Sequence, residues 1–485
     1  MTSEVNHTPQ GISATLASFA LGLSLDAVPA VVRERAKHLL LDAIGLAYAS
    51  QPADFTRVTL DGLTALSAGD KPVATVIGRG HRLNTRDAMV MNGVLVHGLD
   101  FDDTHSRGVI HATASVLPCV FGVSEARAAD GAQTLAAYIA GMEAATRIGS
   151  VAKGGFHQVG FHPTGVVGIF GCTLAASRLL GLNAHQTAMA QGIALSMASG
   201  SLEFLQDGAW TKRMHPGWAA QSAFTAATLA AHGYIGASAP YEGRFGLFSS
   251  YLGEQRGNAD LSLATDGLGE QWQIEEVAIK PVPACHFTHA FADAGTELHK
   301  LWQQRGAKIS ELAERIARIR VKVPEAVVKT VCEPVANKRR PANSYDAQFS
   351  VPYVVSSALI KGRFTLDELE PGHCATTRCS RWPRRSSTRS TRPAPSRATT
   401  RGRSCWNCVM APRSRIARPS IVAVRIVRSA TRKSWRNTLP TPSVCCRRRA
   451  STRCERPCSR STGCRPAPCT PCSASRSEPR MNVWR

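Results

Sequence analysis

Between His97 and His111 the chain reads HGLDFDDTHSRGVIH, which places three histidines and three carboxylates (Asp100, Asp102, Asp103) within fifteen residues. Leu99, Phe101, Val109 and Ile110 interrupt the titratable groups, so part of the stretch is expected to be buried. Buried carboxylates and imidazoles are where shifted pKa values and proton transfer are found. The plain alternative is a capped helix end carrying ordinary polar side chains.

Three further places carry groups of the same kind. GFHPTG sets His162 in a glycine-flanked approach to a helix, where backbone N–H groups can face an anion. WTKRMHPGWAA holds Lys212, Arg213 and His215 between Trp210 and Trp218, and KPVPACHFTHAFADA holds Lys280, Cys285, His286 and His289. Taken singly, each histidine is more often a hydrogen-bonded core or surface group, and Lys212 beside Arg213 reads equally as a surface pair. Taken together, cations, imidazoles and carboxylates at helix ends suit a small polycarboxylate substrate. Lysine and charged histidine would hold its carboxylates while a histidine moves a proton. General acid–base catalysis supplies ~10²–10⁴ in rate, and fixed cations beside an enolate-like intermediate add to it.

Metal binding is the rival for so many histidines. HEXXH is absent, the body's four cysteines (Cys119, Cys172, Cys285, Cys332) are isolated, and His286/His289 is only an i, i+3 pair. The residues therefore point to chemistry without a metal.

The elements that must position these groups are helices. In VVRERAKHLLLDAIGLAYAS, Val32, Ala36, Leu39, Leu40, Ala43, Ile44 and Ala47 recur at three- and four-residue steps, and residues 12–50 read as two amphipathic helices. Segments 87–99, 113–129, 132–150, 184–200 and 216–233 continue the theme. Another helix opens within 154–171, with Pro163 and Thr164 as its start. After about residue 272 the texture changes: IEEVAIKPVPA is β-like, a helix follows at 288–304, and IARIRVKVPEAV alternates like a strand. DAQFSVPYVVSSALIKGRF is helical again. The expected fold class is mainly α, with a large all-helical domain (1–272), a smaller partial α+β lid domain (273–371) and an irregular tail (372–485).

The net charge of +23 belongs to that tail. From His373 onward lie 27 of the 58 Lys and Arg, only two of the 35 Asp and Glu, and eleven of the fifteen Cys. The body is near neutral, and its few cysteines suit a reducing, cytoplasmic setting. The polar start MTSEVNHTPQ lacks the regions of a signal peptide, and no apolar run of the ~18–20 residues that span a bilayer is evident. For the tail, a basic nucleic-acid-binding extension and a zinc module are two readings, but many cysteines argue against the first and unpaired ligand spacing against the second. The third is a shifted reading frame entered near Gly372. Read one base earlier, the codons of WNCVMA (406–411) are compatible with Glu-Leu-Arg-Asp-Gly, ordinary strand–turn sequence. A catalytically impaired frameshift product and a nucleic-acid binder acting through the basic tail are thus the alternatives to an enzyme.

HGLDFDDTH, HATASVLP, GFHPTG, TKRMHPGWAAQSA, KPVPACHFTHAFADA and DAQFSVPY, in this order, resemble the MmgE/PrpD family over about residues 10–371. The family includes 2-methylcitrate dehydratases, cis-aconitate decarboxylases and iminodisuccinate epimerases. The resemblance implies a homodimer and lyase chemistry, dehydration or decarboxylation, without metal or organic cofactor. Position by position it implies Asp100 and Thr104 as a DxxxT pair, followed by His111, then His162, Lys212 and His289, with Tyr345 as a lid tyrosine. Lys212 and His111 are expected to anchor carboxylates, His162 and His289 to serve as acid and base, and Asp100 to orient a histidine. Thr104, Arg213 and Tyr345 join Lys212 in binding substrate. DDTH and HAT stand where the 2-methylcitrate dehydratase branch has an Asn-Asp-Thr version and HPSD, which points away from that branch.

Overall fold

Helix α4 (Thr85–His97) ends at the His97–His111 stretch and explains how that stretch is held. Asn84 caps it, its side chain accepting the Asp87 N–H at 2.9 Å, and the run from Ala88 to His97 is buried throughout. A helix buried all round must sit among other helices. The fold is seen in a computed structural model, which describes residues 11–306, 308–309, 316–370, 408–410 and 422–428.

In chain order the first helices are α1 (Gly11–Gly22), α2 (Ala30–Ala49), α3 (Asp54–Leu66), α5 (Ala112–Arg127) and α6 (Gly131–Val151), of which α2, α3 and α5 pack on α4. After the short α7 (Gly155–Gln158) come α8 (Pro163–Leu180), α9 (Ala184–Leu195), α10 (Thr211–Ala231) and the short α11 (Leu247–Tyr251). Their boundaries follow local chemistry. Reciprocal capping boxes open α6 (Asp130 with Gln133) and α9 (Asn183 with Gln186). Pro163 starts α8, and left-handed Gly181 ends it.

Small residues set the packing distance. A Cβ placed on Gly93 of α4 would lie 2.3 Å from the Cα of Gly217 of α10, so these two helices touch backbone to backbone. That contact brings the first turn of α10, with Lys212 and Arg213, beside the C-terminal end of α4. Helix α8 is long and apolar enough to cross a membrane by length and composition, contrary to the expectation that no such run exists. It is nevertheless 83% buried among the other helices, as a core helix is.

One hydrophobic cluster joins these helices, from Ile12 to Val277. A second gathers Phe204, Cys285, Phe291, Tyr345 and Phe349, and a third Ala284, Ala292, Tyr353 and Phe364. The elements that carry the later residues are α12 (His289–Gln304), α13 (Glu325–Val331), α14 (Val335–Arg339), α15 (Ser344–Gln348) and α16 (Val351–Lys361). Helix α12 packs along α16.

Strands are few and short. β1 (Ala74–Thr75) pairs with β2 (Arg82–Leu83), and β3 (Thr104–His105) with β4 (Val277–Ala278), both antiparallel. β5 (Ile316–Arg320), β6 (Cys408–Met410) and β7 (Val422–Arg428) form an antiparallel sheet in the order β5-β7-β6. The fold is mainly α. The β-like IEEVAIKPVPA yields only the two residues of β4, helix α10 begins five residues before the expected start, and α3 was not anticipated. The tail was expected to be irregular. Its described residues are strands β6 and β7; the rest of the tail, and with it both the expected irregularity and the shifted-frame reading, lies outside the described residues. The chain divides into a unit of residues Met1–Ala430 and a second, Thr431–Arg485, which also lies outside them.

Candidate active site

The backbone between α4 and α5 makes two unusual turns. Asp100 (φ +49°) and Val109 (φ +51°) are left-handed, a costly conformation for any residue with a Cβ and more so for β-branched valine. The Asp100 carboxylate is buried and accepts from two lysines: Lys212 Nζ of α10 at 2.9 Å and Lys280 Nζ at 2.5 Å. Lys280 also donates to the Asp100 carbonyl at 2.9 Å. Burial alone would protonate Asp100, but Lys212 and Lys280 outweigh it and hold the carboxyl well below its usual range. Two lysines thus share the Asp100 carboxylate, and the ionised Asp102 nearby also acts on Lys280.

Two residues on, Asp102 faces the histidines. Its Oδ2 accepts from His97 Nδ1 at 2.7 Å and lies 3.4 Å from His111 Nδ1. His111 Nδ1 donates to the Asp103 carbonyl at 2.9 Å, and this assigns its proton: Nδ1 carries it and Nε2 is the bare nitrogen. The Asp103 side chain accepts from Thr113 Oγ1, itself 2.6 Å from Tyr138 OH. Burial, against the Thr113 hydrogen bond, pushes the Asp103 carboxyl up to about 7.

His162, at the start of α8, stacks on His97 at 5.5 Å between ring centroids, and its Nδ1 lies 3.1 Å from His215 Nδ1. One nitrogen of that pair must donate and the other accept, so both rings cannot be charged comfortably. From the opposite side, His289 donates through Nε2 to the Ala284 carbonyl at 2.9 Å, which leaves Nδ1 bare, and its ring stacks on His286 at 5.0 Å. Burial first, then neighbouring cations, keeps His111 and His162 well below the usual histidine range and His289 at about 3.

These groups border a cavity of about 340 Å³. Asp100, Thr104, His111, His162, Lys212 and His289 all line it, so six of the residues singled out in the sequence come together. The Thr104 hydroxyl there is buried and has no hydrogen-bond partner. Three expectations need correction. Asp100 does not orient a histidine: it holds lysines, and Asp102 is the carboxylate beside the imidazoles. His111, held well below the usual histidine range by burial, faces Asp102 and the Asp103 carbonyl with Nδ1, which suits proton transfer better than a standing cationic anchor. Arg213 and Tyr345 do not border the cavity. The Arg213 guanidinium is sandwiched between Tyr345 (4.3 Å) and Phe55 (4.6 Å) while its Nε donates to the Gly98 carbonyl at 2.8 Å.

Lys280 and Gln348 are the members that residue-by-residue reading left without a role. Gln348 Nε2 donates to the Leu99 and Pro283 carbonyls, and its own carbonyl accepts from the Cys285 N–H, tying three chain segments at the site. KPVPAC and DAQFSVPY carried the only signal for either. His97, Asp102 and His111 also offer ligand-type atoms within 4.8 Å of one another. Nδ1 of His97 donates to Asp102 and Nδ1 of His111 to the Asp103 carbonyl, while His97 Nε2 and Asp102 Oδ1 have no hydrogen-bond partner among the described residues.

With this geometry in view, residues 14–259 match the MmgE/PrpD N-terminal domain and residues 282–382 the MmgE/PrpD C-terminal domain. The chain belongs to the MmgE/PrpD family. Among curated proteins it is similar to the cis-aconitate decarboxylase-like protein oryM of Aspergillus oryzae, 27% identical over 75% of this chain and 77% of the relative. It is likewise similar to cis-aconitate decarboxylases of Aspergillus terreus (27%; 73% of each chain) and Mus musculus (28%; 74% of this chain, 71% of the relative). The two family matches meet on the cavity: Asp100, Thr104, His111, His162 and Lys212 come from the first, and His289 and Phe349 from the second.

Proposed function

We propose that this MmgE/PrpD protein is a lyase that removes carbon dioxide from a small unsaturated di- or tricarboxylate of the cis-aconitate kind. One observation carries the reading: Lys212 and Lys280 converge on Asp100 beside the Thr104 hydroxyl, in a cavity lined also by the imidazoles of His111, His162 and His289. The names of the relatives support the same substrate class.

In such a reaction a β,γ-unsaturated carboxylate loses carbon dioxide. The electrons of the broken C–C bond form a new double bond, and the displaced π pair takes a proton at the γ carbon. The site must therefore fix carboxylates and deliver one proton. Lys212, backed by Lys280, supplies the fixed charge, and the Thr104 hydroxyl donates to a carboxylate oxygen. An incoming carboxylate raises the pKa of neighbouring imidazoles, so histidines whose pKa burial holds low become proton carriers once substrate is bound. His111 is best placed, with Asp102 to stabilise its cation and a bare Nε2 to take and return the proton. His162 and His289 flank it as further acid–base groups, and Arg213 and Tyr345 support α10 and α15 from behind.

The reading includes a helical body covered by a lid that begins near residue 273, a homodimer, and catalysis without a metal, an organic cofactor or a nucleic-acid partner. Release of carbon dioxide from cis-aconitate tests it. Lys212→Ala and His111→Asn should each abolish release while the far-UV circular dichroism is unchanged; full turnover by either variant overturns the assignment.

A further inference from the structure

Asp100 reaches its two lysines from a left-handed backbone (φ +49°), and a residue with a Cβ keeps that conformation only where its surroundings over-determine it. Its φ and ψ set the angle between two rigid peptide planes, one carrying the Leu99 carbonyl and the Asp100 N–H, the other carrying the Asp100 carbonyl. Here three consecutive carbonyls each accept from a buried side chain of a different part of the chain. Arg213 Nε of α10 donates to the Gly98 carbonyl at 2.8 Å, Gln348 Nε2 of α15 to that of Leu99 at 2.5 Å, and Lys280 Nζ to that of Asp100 at 2.9 Å. The Asp100 N–H closes the turn on the His97 carbonyl at 3.1 Å. Gln348 and Lys280 thus pin the planes on either side of Asp100.

From this clamp we infer that Gln348 is a positioning residue for the reaction: by holding the Leu99 carbonyl it aims the Asp100 carboxylate at Lys212 and Lys280. Gln348 does not border the cavity, so its effect passes through Asp100. A neutral amide suits the task, because it pins a carbonyl without competing with the lysines for the carboxylate. Gln348 Nε2 also donates to the Pro283 carbonyl at 3.0 Å, and the Gln348 carbonyl accepts from the Cys285 N–H at 3.0 Å. The segment that carries Lys280 is therefore fixed by the same residue. Gln348 is itself held between two capped helices: Asn343 accepts the Asp346 N–H of α15 at 2.9 Å, and Ser350 accepts the Tyr353 N–H of α16 at 3.0 Å. Released from Gln348, the Leu99 peptide would rotate, the turn would relax, and the carboxylate would swing away from Lys212 Nζ, now 2.9 Å off. This deepens the lyase reading and rests on it for what Lys212 does.

Two variants of similar size separate donor from packing. Gln348→Met removes both N–H groups, whereas Gln348→Glu donates only while its carboxyl is protonated. For carbon dioxide release from cis-aconitate, kcat/KM should fall about a hundredfold in Gln348→Met, the cost of a misplacement of about 1 Å. In Gln348→Glu the deficit relative to the unaltered chain should shrink as pH is lowered from about 8.5 to about 5.5, a rescue that packing alone does not produce. Near-normal turnover by Gln348→Met, or equal deficits in both variants at every pH, overturns the inference. Amide hydrogen exchange over residues 97–102 needs no substrate and should quicken in Gln348→Met; unchanged exchange also overturns it. Quickened exchange in a chain that releases no carbon dioxide supports the clamp and sinks the decarboxylase reading instead.

Discussion

The titratable groups and the apolar cluster at the cavity are stabilised by opposite means. Around the titratable groups, stability depends on partners: Asp100 on two lysines, His97 on Asp102, His111 on a carbonyl, Asp103 on Thr113. Buried charges without partners are costly, so these groups have essentially one workable arrangement. The apolar cluster depends on shape and area, which several side chains can supply. A site that holds charge against an apolar cluster therefore has a rigid part and a forgiving part.

The largest effect expected from breaking that contrast is at Asp100. Asp100→Ala strands Lys212 and Lys280 in the interior, which should cost about 3–5 kcal/mol of stability and all carbon dioxide release. Urea unfolding read beside an activity assay checks both. A loss below about 1 kcal/mol would mean that the lysines find other partners.

Thr113→Val comes next. It keeps the shape but leaves the Asp103 carboxyl and the Tyr138 hydroxyl without their shared partner, at a cost of roughly 1–3 kcal/mol. Because the Asp103 carbonyl holds the His111 tautomer, kcat should fall and its pH profile shift, with Thr113→Ser restoring both. Loss of stability with an unchanged profile would confine Thr113 to packing.

Acid should weaken the fold through the imidazoles. His105 and His289 titrate at about 3, and His157, His215 and His286 at about 4, all depressed by burial. The unfolded chain binds protons on these groups near the ordinary histidine pKa of ~6.5, so stability is full above that pH and falls as pH drops toward 4. Asp103 and Asp42, raised by burial to about 7 and about 6, work in the opposite direction but are outnumbered. Unfolding midpoints measured from pH 7.5 to 4.5 should decline steadily; a flat series would mean the histidines are hydrated.

The smallest effect is expected at the apolar cluster. Leu205→Met preserves volume and should cost less than about 1.5 kcal/mol, with carbon dioxide release from cis-aconitate nearly unchanged. A loss as large as that of Asp100→Ala would erase the distinction between the two parts.

Much of this was legible in order along the chain. The helical periods, the start at Pro163 and the titratable cluster before α5 are local patterns, and local patterns survive reading one residue at a time. Six site residues were legible for the same reason, since each stands in a short run of chemically unusual sequence. Arg213 and Tyr345 were placed on the substrate because charge and hydroxyl are visible in a sequence, whereas an aromatic sandwich is not.

By itself the sequence determined the family, the helical character and the set of groups able to do acid–base chemistry. The tertiary structure decided how those groups are paired. A left-handed turn at Asp100 sends that carboxylate to the lysines and leaves Asp102 to the histidines, and Lys280 reaches it from 180 residues away. Burial then lowered the pKa of the imidazoles. Pairing and desolvation depend on which atoms lie within a few ångströms, and spacing along the chain does not record that.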